Sequence, residues 1–107
     1  MEYTEFKIVW TSTFKEELES IYRYLSLKLK NPIISEKFYT EIMGSLDSLR
    51  IFPYRNAILF IQSSRNQIPI RKLKTKNYNI IYYINSNQTT IYILHIFHKT
   101  QNYFNLL

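Results

Sequence analysis

Residues 68–103 read IPIRKLKTKNYNIIYYINSNQTTIYILHIFHKTQNY, and the fold turns on this stretch. Three runs dense in Ile and Tyr, Pro69–Lys74, Tyr78–Ile84 and Thr90–Phe97, are separated by TKN and by NSNQ. β-Branched and aromatic side chains fit a pleated, half-buried surface, and Asn and Ser close turns with their own side chains. The stretch therefore predicts an antiparallel meander. Its basic and aromatic groups gather at strand ends and turns, where they would face an anion.

Upstream, residues 54–67 (YRNAILFIQSSRNQ) combine an apolar run with a polar stretch suited to a loop, and Ile58–Ile61 can form a short edge strand. Before them lie two helical patterns. Thr13 followed by Glu16 fits a capping box and predicts a helix from Phe14. Phe14, Leu18, Ile21, Tyr22, Leu25 and Leu29 then lay an apolar stripe along it. Asn31-Pro32 ends that helix, because proline lacks the interior donor, and opens a second one at its first turn. Ile34, Phe38, Ile42, Leu46 and Leu49 mark its buried face, and it stops before Phe52-Pro53. Gly44, the one glycine, costs about 1 kcal/mol inside a helix, and close packing is the expected reason for it. At the N-terminus, Phe6–Trp10 is a first strand.

The order β-α-α-β-β-β predicts an α+β fold, a helical hairpin packed on one face of a small, mainly antiparallel sheet with the other face open. With 107 residues and no linker or repeat, one domain spanning 1–107 is expected. No cysteine is present, so disulfides and thiolate metal sites are excluded, and two histidines on one strand do not suggest zinc. Neither metal nor other cofactor is expected. The opening MEYTEFKIVW has neither a basic n-region nor a long apolar run, so no membrane association and a cytoplasmic location are expected.

Fourteen Lys and Arg against eight Asp and Glu give a net charge of +6, and residues 49–107 contain no acid at all. Such a surface attracts phosphate backbones or acidic protein segments. A Gly-rich phosphate loop, a nucleophile elbow and a C-terminal carboxylate pair are all missing, which removes kinase, serine-hydrolase and glycosidase readings. Cations, tyrosines and histidines remain. They can promote attack by a ribose 2′-OH and stabilise the resulting charge, or they can simply bind by phosphate contact and stacking. His95 and His98, three apart on one strand, point to opposite faces. His98, beside Lys99 at the strand end, is the catalytic candidate, and His95 is read as a sheet histidine.

The element order, the NP helix link, L-x-x-F-P at Leu49–Pro53, R-K-L-x-x-x-x-Y-x-I-x-Y at Arg71–Tyr82 and I-L-H-I-F-H-K-x-x-x-Y at Ile93–Tyr103 together resemble the RelE/ParE superfamily of bacterial type II toxins. The resemblance covers nearly the whole chain. It implies growth inhibition, and an acidic antitoxin whose C-terminal segment is partly disordered until it wraps the toxin. RelE-like members are mRNA interferases, cutting messenger RNA in the ribosome with a lysine, two arginines and a C-terminal tyrosine; ParE-like members inhibit DNA gyrase. By position these residues fall on Lys72, with Lys74 nearby, on Asn79 and Lys99, and on Tyr103. Asn79 supplies no cation and Lys99 lacks the bidentate fork of arginine. The resemblance therefore implies a ParE-like gyrase inhibitor, with a RelE-like, metal-independent endoribonuclease using His98, Lys99 and Tyr103 as the alternative. Arg71, Lys72, Lys74, Lys76 and Asn79 are the expected target-binding or antitoxin-binding set, against the plain reading of lysines guarding a strand. The apolar tail Phe104, Leu106 and Leu107 is expected to pack on the helices or meet the antitoxin.

Overall fold

A computed structural model describes residues 4–62 and 67–101. Its elements are β1 (Lys7–Trp10), α1 (Ser12–Arg23), a π-helical turn (Tyr24–Lys28), α2 (Pro32–Leu49), β2 (Ile58–Gln62), β3 (Ile68–Lys74), β4 (Tyr78–Asn85) and β5 (Thr90–His98). The expected architecture is present with one strand more, since Ile58–Gln62 does pair. The five strands run in the order β1-β5-β4-β3-β2. β1 is parallel to β5, and the β2–β5 meander is antiparallel throughout.

Helix and sheet meet in a core built from both patterns. Phe14, Leu18, Phe38, Ile42, Leu46 and Leu49 descend from the helices onto Leu73, Ile80, Tyr82, Ile91, Ile93 and Ile96. Burying each such side chain contributes about 1.5–3 kcal/mol. The sheet side of this contact depends on a bulge: Ile81 pairs His95 while Tyr82 pairs Ile93, leaving Leu94 as the extra residue. Without it, period-2 alternation would put Ile93 and Ile96 on opposite faces. With it, both are buried under the helices.

Thr11 anchors the bulge and also starts α1. Its hydroxyl donates to the Ile93 carbonyl at 2.7 Å and accepts the Phe14 N–H at 3.2 Å. The cap is thus Thr11 rather than Thr13, and α1 begins at Ser12. The capping box fitted the local spacing, but the long-range bond to Ile93 selects the earlier threonine.

At the hairpin tip the stripe fails. The Leu29 N–H bonds to the Tyr24 carbonyl five residues back, at 3.3 Å, and Lys30 takes the left-handed φ of 50°. This wide turn rotates the last apolar residues outward. Leu29 and Ile34, both expected in the core, are exposed, and Ser35 is buried instead, its hydroxyl donating to the Pro32 carbonyl. Asn31 caps α2 through the Ile34 N–H, and Pro32 follows at the first turn as expected. Gly44 also departs from expectation: a Cβ there would meet nothing within 4 Å. Close packing does not require this glycine.

Candidate functional site

Alternation along β3 divides its cations between two faces. Leu73 belongs to the helix-side core and Ile70 to a second cluster on the opposite face. Arg71 therefore lies on the helix side, and Lys72 and Lys74 on the open side. Arg71 Nη1 donates to the carbonyls of Asn56 at 2.6 Å and Tyr54 at 3.3 Å, and its guanidinium lies over the Tyr54 ring. Beside it, the buried Tyr82 hydroxyl donates to the Pro53 carbonyl at 2.7 Å and accepts from Asn56 Nδ2 at 3.2 Å. Burial raises the Tyr82 phenol above its ordinary range, opposed by the Asn56 hydrogen bond and the Arg71 charge. Arg71 and Tyr82 together hold the loop between α2 and β2.

On the open face, Ile70, Ile81 and Phe97 are buried, with Leu59, Phe60, Ile68, Tyr83 and Leu94 packed around them. Tyr83 stacks on Tyr92, ring centroids 5.0 Å apart. Asn79 lies between Lys74 and Phe97 in the strand register, 6% exposed. Among the described residues its Oδ1 is a buried acceptor with no hydrogen-bond partner. Lys72, Lys74 and Asn79 thus share one face at one end of the meander, the part of the expected set that the fold brings together.

The rest of that set lies elsewhere. His98 pairs with Tyr78 on the helix side, where the two rings meet edge-on at 5.4 Å and Tyr78 in turn meets Phe38 of α2. His98 Nδ1 is 2.8 Å from the Thr100 hydroxyl. Lys99 is exposed in the turn after β5, its N–H bonded to the Asn77 carbonyl. Lys76 is exposed in the β3–β4 turn, where its backbone N–H donates to Glu41 of α2. Tyr103 and the tail residues Phe104, Leu106 and Leu107 lie outside the described residues. Among the described residues no three His, Cys, Asp or Glu side chains converge on a metal site, and no helix is long and apolar enough to cross a membrane.

Two features escaped the sequence reading. β1 covers only Thr90–Ile93 of β5, so the remaining edge is closed by side chains: Glu17 accepts the Ile96 N–H at 3.1 Å and Gln101 accepts that of His98 at 2.8 Å. Glu17 also meets His95 Nδ1 at 3.3 Å, while the His95 ring stacks on Phe97. The second feature is the hairpin tip, where Tyr24, Leu27, Leu29, Ile33 and Ile34 are all exposed, Leu27 by 66% and Ile33 by 67%. Lys28 and Lys30 stand among them. Apolar spacing that outruns the sheet beneath it was the available signal.

Solved structures with the same fold include the toxin–antitoxin complex RelBE2 from Mycobacterium tuberculosis, at 18% identity and a TM-score of 0.59, covering 94% of this chain and 98% of that one. The chromosomal ParDE toxin–antitoxin system from P. aeruginosa matches at 18% identity and a TM-score of 0.64, over 89% of this chain and 97% of that one. No curated protein matches. The family model for the ParE toxin of the type II toxin–antitoxin system parDE matches residues 8–103. A chain matched from β1 to beyond β5 in this way belongs to the ParE toxin family of type II toxin–antitoxin systems.

Proposed function

We propose that this toxin acts by binding and blocking DNA gyrase rather than by cutting messenger RNA. The observation that supports this reading is that His98, of the candidate nuclease set His98, Lys99 and Tyr103, lies on the opposite face from the residues at the positions of the RelE-like lysine and arginine. His98 is on the helix side against Tyr78, whereas Lys72, Lys74 and Asn79 are on the open side. A metal-independent nuclease needs its base, acid and charge-stabilising cation within hydrogen-bond reach of one phosphate. At the central position Asn79 supplies an amide where a cation is required. That face is instead suited to binding, with partly buried Leu59, Phe60, Tyr83 and Leu94 around a buried apolar centre and lysines at one end.

The cognate antitoxin, as in the toxin–antitoxin complexes that share this fold, is the second partner. An acidic segment with apolar side chains would cover the lysine-flanked hairpin tip, where five apolar residues are exposed. The protein acts as one domain spanning 1–107, in the cytoplasm, where gyrase works. Primer extension on messenger RNA after induction tests the reading: growth should stop with a DNA-damage response and without codon-phased breaks, and codon-phased breaks would overturn it.

A further inference from the structure

The loop between α2 and β2 has a feature that neither target reading uses. Among the described residues, the two guanidinium–ring stacks of the molecule both lie here: Arg55 sits 4.9 Å from the Phe52 ring centroid, and Arg71 sits 5.3 Å from that of Tyr54. The loop backbone is fixed from beneath by Tyr82 on Pro53 and by Arg71 on Tyr54 and Asn56. Its rings nevertheless face outward, Tyr54 54% and Phe52 44% exposed, and Arg55 is exposed beside them. Tyr54 also meets Phe6 edge-on, ring centroids 6.1 Å apart, so the fixed backbone presents the exposed remainder of that ring and a guanidinium to water, and little ordering entropy remains to be lost on binding.

The charge around the loop narrows the ligand. No acid follows Asp47 in the chain, and Asp47 and Glu5 both pair with Arg50. No Asp or Glu side chain of residues 49–107 therefore offsets Arg55 or Arg71. Aromatic faces next to arginine in a positive field are the chemistry of single-stranded nucleic acid, whose bases stack irrespective of sequence while cations track the backbone.

We propose that the Phe52–Tyr54–Arg55 loop binds single-stranded nucleic acid, a base stacking on Tyr54 and a phosphate meeting Arg55. The site is on a different part of the surface from Lys72, Lys74 and Asn79, and it does not depend on which essential target the toxin blocks. A duplex would not serve, because its bases are already stacked on one another.

The test is fluorescence anisotropy of the purified full-length chain with a labelled oligothymidylate of about 12 nucleotides, within the footprint range of single-strand sites. Binding that weakens with salt is expected. Tyr54→Ala should weaken it at least about fivefold, the lower bound for one lost base stack, while Tyr54→Phe retains it. Arg55→Ala should reduce the slope of log affinity against log salt by about 0.7, one phosphate's share for a single strand. Lys37→Ala, which removes an equal charge from an exposed position on α2, should leave affinity unchanged. Circular dichroism on each variant separates lost binding from lost folding. The proposal is overturned if a folded Tyr54→Ala protein binds like the wild type, if Lys37→Ala is as damaging as Arg55→Ala, or if a duplex of equal length binds as tightly.

Discussion

Arg71 and Lys72 are neighbours in the chain and stand on opposite faces of the sheet: Arg71 pairs with the helix-side Tyr82, and Lys72 with the open-side Ile81. Strand geometry alone separates them, and the separation assigns different work to two residues that composition would count as one basic cluster.

Arg71→Ala should therefore act on stability. It removes two hydrogen bonds to loop carbonyls and the stack on Tyr54. Charge-assisted bonds of this kind contribute about 1.5–3 kcal/mol, less where water reaches them, so a loss of about 1–2 kcal/mol in urea unfolding is expected. Lys74→Ala, at an exposed site, should change stability by less than about 0.5 kcal/mol and weaken toxicity instead. A stable Arg71→Ala protein, or an unstable Lys74→Ala one, would show that the faces are misassigned.

Thr11→Ala should cost about 1–2 kcal/mol, the upper range for a helix cap, because it also removes one of the two donors to the bulge carbonyl of Ile93, the Thr11 backbone N–H at 3.1 Å remaining. Thr13→Ala should be nearly neutral. Thermal denaturation of the two variants side by side decides which threonine caps α1.

Gly44→Ala should stabilise the protein by about 0.5–1 kcal/mol, since alanine restricts the unfolded chain and no atom stands in the way of its Cβ. Urea midpoints measure this. A destabilised variant would mean that the space beside Gly44 is filled in solution.

Stability should fall in alkaline solution. Burial, the main cause in each case, raises the Tyr78, Tyr82 and Tyr83 phenols above their ordinary range; a second, smaller push comes from Glu41 at Tyr78 and from Tyr92 at Tyr83, whereas Asn56 and Arg71 oppose the shift at Tyr82. Unfolded phenols ionise near about pH 10. Above that point the unfolded chain gives up protons that the folded chain keeps, so the stabilisation is complete at neutral pH and is lost as pH rises through the folded values. Melting temperatures from about pH 8 to 11 should be level and then drop above about pH 10, and a level curve throughout would contradict the burial of these rings.

Much of the fold was legible because local signals agreed with tertiary ones. The meander could be read from Ile and Tyr density, and the second helix from Asn31-Pro32, since each signal acts over a few residues. What was missed depended on distant partners. Thr11 displaces Thr13 as the cap because of Ile93, 82 residues away. The bulge at Leu94 exists to bury Ile93 and Ile96 together, and no turn residue announces it. Leu29 and Ile34 keep helical spacing but run past the sheet, so the stripe continues where no core remains. At the candidate site, the residue types were legible and their faces only partly so: alternation separates His95 from His98 in the sequence, whereas the role of Glu17 in closing the β5 edge requires the fold.

The most direct test of the central claim is a reaction of purified gyrase, ATP and relaxed plasmid with the purified toxin. Supercoiling should be lost, and linear DNA should accumulate when trapped cleavage complexes are denatured, with Lys72→Ala and Lys74→Ala weakening both effects. Undisturbed supercoiling at toxin concentrations that stop translation in a cell-free system would contradict the claim and point to the ribosome.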